Sequence, residues 1–297
     1  MALRDFALLI LMCLVWASNN ILSKYVVSGL EVPPLFYAAA RFAILAVVLI
    51  PFLRPAPRPI WRLVVTALLM GGGNFALMFV GLKMSTPSAV SVVFQLGLPM
   101  TVLLSVLMLH ERIGLWRGFG IGLTFAGVVI VIFDPKGLEI STGLLLVAAA
   151  TFMSSLGAVM TKQIEGMRPL TFQAWVGFSS VWPLAALSAW LEPGQVEIAL
   201  HAGWPFVGAL LFSALIVSLF AHTCYVMLLQ KYEANLISSL TLMTPMITIG
   251  MGVVLLGDPF GPRMMIGSAL AIIGVLVIAL RRNQIMAMLM AVRSRLI

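Results

Sequence analysis

Ten apolar stretches of nearly bilayer length, each closed by charges or by Pro/Gly punctuation, constrain this chain more than any other feature. They run over 6–28, 34–53, 63–82, 89–109, 118–133, 142–161, 170–191, 204–229, 235–256 and 264–280, the fifth and tenth being short. A hydrocarbon core takes about 20 residues of helix to cross, and a helix that closes its own backbone hydrogen bonds is one of the few structures able to do it. The breaks are turn chemistry: Pro33-Pro34, Arg54-Pro55-Ala56-Pro57-Arg58-Pro59, Asp134-Pro135-Lys136-Gly137, Glu192-Pro193-Gly194 and Asp258-Pro259-Phe260-Gly261-Pro262. Composition agrees. The 297 residues are 62% hydrophobic and 9% charged, where a soluble domain carries about a quarter charged residues. That excludes a soluble enzyme, a disordered chain and a secreted disulfide scaffold. The opening segment has signal-peptide features (Arg4, an apolar run, Ala17-Ser18). Removing it would leave an odd span and break the repeat described below, so it reads as the first span.

The formal net charge of +8 is explained by where the charges sit. With ten spans, both termini share a side with the loops after spans 2, 4, 6 and 8. That side holds Arg4 at the start, then Arg54, Arg58 and Arg62, then Arg112 and Arg117, then Lys162 and Arg168, then Lys231. Arg281, Arg282, Arg293 and Arg295 follow the last span. The opposite side has only Lys24, Lys83, Lys136 and Arg263. The positive-inside rule places both termini in the cytoplasm, and the basicity is an orientation signal, with no nucleic-acid partner implied. Cys13 and Cys224 lie inside apolar runs and read as buried small residues. No HExxH, GxSxG or Walker-type motif occurs, and no ligand cluster has metal spacing. The reading is therefore not an enzyme, with no cofactor and no metal.

The two halves repeat. Gln95-Leu96-Gly97-Leu98-Pro99-Met100 answers Thr241-Leu242-Met243-Thr244-Pro245-Met246, then Glu111 answers Asp258, and Gly120 and Gly127 answer Gly267 and Gly274. Five spans is an odd number, so the second copy must be upside down relative to the first. Inverted repeats are a transporter architecture, with the substrate site near the midplane between the halves. The expected fold is an all-α integral membrane protein of ten transmembrane helices, in two inverted five-helix repeats over 1–137 and 138–282, with a tail at 283–297 that is left unassigned.

These residues resemble the drug/metabolite transporter superfamily with its paired EamA-type domains. The resemblance rests on Val15-Trp16-Ala17-Ser18-Asn19 with Lys24, on Arg41, on Leu109-His110-Glu111-Arg112 and on the four repeated glycines. The chain is most similar to the bacterial aromatic-amino-acid exporter branch. That resemblance implies ten helices around a central cavity in the inner membrane, exporting amino acids and related metabolites. One departure bears on mechanism. Small multidrug-resistance relatives carry a membrane-embedded carboxylate that exchanges protons for cations, whereas here every Asp and Glu falls at a span end or in a loop. A mid-membrane acid is usually functional, so its absence disfavours proton antiport of cations.

Polar residues within the spans recur three or four apart and so share faces. Trp16, Asn20 and Lys24, with Asn19 beside them, mark the first span, and Tyr37 and Arg41 the second. Asn74 follows Gly71-Gly72-Gly73, Phe79 comes later in that span, and Ser91 and Gln95 precede Pro99. In the second half Ser155, Trp175, His222, Tyr225 and Thr241 stand out, Tyr225 matching Phe79 across the repeat. These residues are the expected substrate cavity, with Gly72, Pro99 and Pro245 as hinges. Each has a bland reading beside the functional one. Lys24 is a snorkelling cation or a substrate contact; Arg41 is a structural clasp or an electrostatic group. His222 is an interhelical donor or a protonatable cavity group, and Trp175, Trp182 and Trp190 are anchors or cavity walls. Ser and Thr in such helices are mostly glue. The ridge Gly118/Gly122/Ala126, with Gly267/Ala271 in the last span, reads as packing. Basic groups and amides suit a carboxylate, and aromatic walls suit an amphipathic ligand. The expected activity is export of amino acids by alternating access, facilitated or gradient-driven, by a monomer or weak homo-oligomer in contact with lipid. The competing readings are a proton-coupled exporter of drugs or cationic metabolites, a phosphate-substrate exchanger, and a non-transporting membrane scaffold.

Overall fold

The computed structural model describes residues 1–279 except 55, 57, 111–112, 135–138, 162, 165–167 and 233. Glu111, Arg112, Lys162 and the 283–297 tail, all singled out above, lie outside the described residues. Eight helices are long and apolar enough to cross a membrane, and two shorter apolar helices accompany them. In chain order they are α1 (Leu3–Gly29), α2 (Pro34–Val48, short), α3 (Ile60–Lys83), α4 (Pro87–Leu109) and α5 (Leu115–Ile132), then α6 (Thr142–Thr161), α7 (Pro169–Leu191), α8 (Gln195–Tyr225), α9 (Met243–Leu256, short) and α10 (Pro262–Ala279). A 3₁₀ turn, Ile50–Leu53, carries on from α2, and a helix Ala234–Thr241 leads into α9. Between α5 and α6 the chain forms a small antiparallel ladder, β1 (Phe133–Asp134) with β2 (Glu139–Ile140).

Local chemistry sets the ends. Pro stands at the first position of α2, α4 and α7, where its missing amide costs nothing. The Thr86 side chain caps α4 by accepting from Ala89 N–H. Leu109 and Leu256 are both followed by a residue in the left-handed region, His110 at φ 54° and Gly257 at φ 69°. These two caps occupy matching places in the two halves. The loop expected after Glu192-Pro193-Gly194 is instead helical from Gln195, and a kink at Gly203, with φ 60° and ψ −146°, turns it into the rest of α8.

The helices pack in matched relations. α5 lies on α10 and α2 on α7; α9 meets α1 as α4 meets α6, and α8 meets α1 as α3 meets α6. The α5/α10 crossing is the tightest. A Cβ on Gly120 would sit 2.8 Å from the Gly274 carbonyl oxygen, and one on Gly274 2.7 Å from that of Gly120; Gly127 and Gly267 stand in the same reciprocal relation at 2.5 and 2.7 Å. Backbone cannot yield to such contacts, so only glycine serves. The expected ridge Gly118/Gly122/Ala126 is a correction: it is exposed, and a Cβ on Gly118 or Gly122 would meet nothing. Two small-residue rows run along α5 at helical spacing, and the contact uses the row on the other side.

Three helices depart from α geometry, with π-helical stretches at Tyr25–Gly29, Leu69–Gly73 and Phe212–Ala221. A further break, the 3₁₀ turn Phe94–Leu96, interrupts α4 just before Pro99. In the matching place a break at Leu242 separates Ala234–Thr241 from α9, just before Pro245.

Candidate functional site

A cavity of about 350 Å³ is lined by residues in or next to four of these interruptions, all but Tyr25–Gly29, and is within the size range of small-molecule sites. α1 supplies Trp16, Asn19 and Asn20 to it, and α2 supplies Arg41. Asn74, Phe75 and Met78 come from α3, and Ser91, Phe94 and Gln95 from α4. Val217 and His222 come from α8, with Thr241, Thr244, Pro245 and Thr248 from the two helices around Leu242. None of these is an acid.

Arg41 dominates the electrostatics. Its side chain is 1% exposed. Nε and Nη2 donate to Ser218 Oγ at 3.1 and 2.8 Å, and the guanidinium carbon lies 4.4 Å from the Phe75 ring centroid. Nη1 has no hydrogen-bond partner. Among the described residues no carboxylate pairs with Arg41, so a buried cation stands without a counter-charge, an expensive arrangement unless something else supplies one. Other buried polar atoms around the cavity are also unpartnered: Trp16 Nε1, Asn19 Oδ1, Asn74 Oδ1 and Gln95 Nε2. Buried polar groups are nearly always hydrogen-bonded, so this clustering marks a place built for water or a polar ligand. Pro99 contributes as well, since it lacks the amide that would otherwise close a helical bond onto the Gln95 carbonyl.

Of the residues singled out from sequence, Trp16, Asn19, Asn20, Arg41, Asn74, Ser91, Gln95, His222 and Thr241 stand on this cavity. Tyr225 lies one layer back, its ring 5.4 Å from Trp16. Tyr37 and Phe79 do not line it: both are fully buried and stacked on each other at 4.8 Å. Ser155 donates to Gly97 O at 3.0 Å and faces an adjoining crevice of about 220 Å³ that shares Asn74 and Phe94 with the cavity. Trp175 donates to Leu53 O, while Trp182 and Trp190 are 66% and 80% exposed on the outside of the bundle. Of the expected hinges, Pro245 is a cavity wall, Pro99 is buried in α4, and Gly72 donates its amide to Ser180 Oγ at 2.8 Å within the π-helical stretch of α3. Sequence reasoning passed over Phe75, Met78, Phe94 and Val217, which look like ordinary membrane-helix residues. Spacing held a signal for two of them, because Met78 is four residues from Asn74 and Phe94 three from Ser91.

Lys24 sits away from the cavity, at one end of the bundle. Its ammonium donates to Leu82 O and Lys83 O at 2.9 and 3.0 Å, which satisfies terminal carbonyls of α3. With Asp258 it borders a separate hollow of about 370 Å³. Two acids seal helix starts at this end. Asp258 Oδ2 accepts from Ser88 N–H and Ser88 Oγ at 3.0 and 2.5 Å. The two Glu192 oxygens accept from the amides of Leu35 and Phe36, both at 2.9 Å. In each case an acid from the second half caps a first-half helix. At the opposite end Asp5 Oδ2 accepts from Lys231 Nζ at 2.6 Å and from Tyr232 OH at 2.5 Å. That hydrogen bond holds the Lys231 ammonium above its ordinary range.

The chain matches the model of the EamA-like transporter family twice, over residues 5–133 and 141–280. It is 26% identical over 284 residues to a "Probable amino-acid metabolite efflux pump" of Salmonella typhimurium, covering 92% of this chain and 94% of that one. The protein of the same name in Escherichia coli is 25% identical with the same coverage. An uncharacterized transporter of Archaeoglobus fulgidus is 24% identical, covering 94% of this chain and all of its own length. A crystal structure superposes with a TM-score of 0.63 at 19% identity, covering 93% of this chain and 96% of the other, a likeness of fold.

Proposed function

Because the chain belongs to the EamA-like transporter family, a family of multi-pass membrane transporters, we propose that it exports amino acids and related small metabolites across a bacterial inner membrane by alternating access. The observation that carries the substrate class is Arg41: a buried guanidinium with one unpartnered nitrogen, no acid to pair with among the described residues, and a cavity beside it. A carboxylate supplies the missing charge, through a hydrogen bond of the strong, charge-assisted kind. The names of the Salmonella and Escherichia coli relatives point to the same class. Phe75, Phe94, Met78 and Trp16 around the cavity favour large apolar or aromatic side chains on the substrate.

The rocking unit is a half-chain. Ten spans follow if α2 is completed by Ile50–Leu53 and α9 by Ala234–Thr241. The reciprocal glycine contacts of α5 and α10 run antiparallel, 120 with 274 and 127 with 267. A two-fold axis relating the halves then lies across the helices, in the membrane plane, as an inverted repeat requires. The cation bias puts both termini in the cytoplasm, so the end carrying Asp258 and Glu192 faces outwards. No acid lines the cavity among the described residues, which favours facilitated movement over proton antiport through a carboxylate.

The test is uptake of a panel of labelled amino acids into liposomes containing the purified chain, with and without a proton gradient. Transport above empty liposomes without a gradient is expected. If no amino acid moves, the substrate class is wrong; if movement needs the gradient, the facilitated mechanism is wrong.

A further inference from the structure

One contact sets the hydrogen of His222. Its Nδ1 lies 2.8 Å from the main-chain oxygen of Val217. A carbonyl only accepts, so in the neutral ring Nδ1 carries the hydrogen and Nε2 presents a lone pair. Among the described residues this is the hydrogen bond seen for the ring, and it is made at Nδ1. The Trp16 ring meets the imidazole edge-on at 5.6 Å and holds it against rotation.

The same helical segment sets Arg41. Within the π-helical stretch Phe212–Ala221, Ser218 Oγ donates to Ser213 O at 3.1 Å, five residues back, as Val217 is five residues before His222. Ser218 Oγ in turn accepts from Nε and Nη2 of Arg41. Ser218 and His222 are four apart and share a face. An undistorted helix would turn these side chains to a different register, and π-helical insertions of this kind recur at functional sites. One irregular segment therefore anchors both an unpartnered donor, Arg41 Nη1, and an acceptor, His222 Nε2, and both residues line the one cavity.

We infer that His222 reads the α-ammonium of the substrate: Nε2 accepts a hydrogen bond from it while Arg41 Nη1 donates to the carboxylate. This rests on the amino-acid reading above and deepens it, because a substrate must then bring both poles of a zwitterion. A carboxylic acid without the amine satisfies Arg41 and leaves Nε2 unpaired. Sites built to hydrogen-bond a polar group reject analogues that lack it far more strongly than apolar pockets reject a missing methylene.

The test uses the full chain in liposomes and two probes that share a ring and a carboxylate, L-phenylalanine and 3-phenylpropionate. The readout is the ratio of their initial uptake rates. The unaltered chain is expected to prefer L-phenylalanine by about tenfold or more. His222→Leu removes the acceptor, so the ratio falls towards one, L-phenylalanine transport losing far more than that of 3-phenylpropionate. His222→Asn, whose amide stops short of the Nε2 position, gives the same fall with a polar side chain in place. His222→Gln, which reaches it with an acceptor oxygen, recovers part of the preference. An unchanged ratio in His222→Leu and His222→Asn overturns the inference, as does an equal slowing of both probes, which marks a purely structural residue. In either case amino-acid transport by the unaltered chain still stands. If the unaltered chain moves no amino acid, the amino-acid reading fails and the inference falls with it.

Discussion

Replacing Asp258 by alanine removes the one carboxylate that ties the start of α4 to the loop before α10. Ser88 is wholly buried, and both its amide and its hydroxyl donate to Asp258 Oδ2. Hydrogen bonds to a charged group contribute about 1.5–3 kcal/mol each. Two on the same oxygen do not add fully, and water replaces them when this end opens, which leaves a net of about 2–3 kcal/mol in favour of the closed arrangement. At about 1.4 kcal/mol per factor of ten, the open population rises about 30- to 150-fold in Asp258→Ala. Asp258→Asn keeps an acceptor but turns two charge-assisted bonds into neutral ones, a loss of about 1–2 kcal/mol, so its effect is roughly five- to 30-fold. Gly252→Ala attacks the same tie from α9, because a Cβ there collides with the Asp258 carboxylate and the Ser88 hydroxyl. The assay is labelling of Gln95→Cys, on the cavity wall, by a membrane-impermeant thiol reagent applied from outside. Cys13 and Cys224, both buried, are replaced by alanine in that background. Labelling should rise in the order Asp258, Asn, Ala, with Gly252→Ala near the top. If Asp258→Ala unfolds more easily while labelling from outside stays the same, the tie is static architecture and this account of it is refuted.

Three further outcomes are expected. Arg41→Gln should slow amino-acid uptake about 10- to 150-fold at normal expression, the loss of one charge-assisted bond, and Arg41→Lys should not rescue it, since an ammonium cannot hold Ser218 with two nitrogens while reaching the cavity with a third; uptake rates in liposomes check both. Gly127→Ala should destabilise the fold by about 1–3 kcal/mol through overpacking against fixed backbone, visible as a lowered thermal midpoint in detergent, whereas Gly122→Ala, facing open space, should lose nothing. Lys24→Met should cost about 1 kcal/mol of stability through the uncapped carbonyls of α3 and leave KM unchanged, a split that kinetics and melting curves together resolve.

The helical skeleton was legible because apolar length is a strong signal: α6 begins and ends where its run of residues does, and most other helices differ by only a few residues. The Gln195–Ala202 stretch was not, since Gln195, Glu197 and His201 dilute its apolarity and Gly203 breaks it from the rest of α8. Polar cavity residues could be found because a buried polar side chain in a membrane helix is costly enough to need a reason. Their apolar neighbours could not, as Val217 on the cavity and Val254 on the lipid surface look alike in a string of letters. Tyr37 and Phe79 show the converse error: being aromatic and mid-span made them cavity candidates, while their rings satisfy each other. Of the π-helical turns only Leu69–Gly73 left a trace, its run of three glycines; Tyr25–Gly29 and Phe212–Ala221 left none. Each adds one residue to a turn, which shifts a face without disturbing the hydropathy from which the helix was read.

The α5/α10 crossing has a consequence for how such a chain holds together. Contacts 120–274 and 127–267 exchange into one another when each glycine is replaced by its repeat counterpart, which is the isologous pattern of a two-fold homodimer. A half-chain thus carries on its last helix a surface complementary to itself and needs no distinct partner surface in the other half. What fusion into one polypeptide adds is stoichiometry and address. On the inverted-repeat reading proposed above, it guarantees one upright and one inverted copy in every molecule, and it frees each half to lose residues that the other retains. Arg41 in one half and His222 in the other fit such a division of labour: both line one asymmetric cavity, to which neither α5 nor α10 contributes a residue.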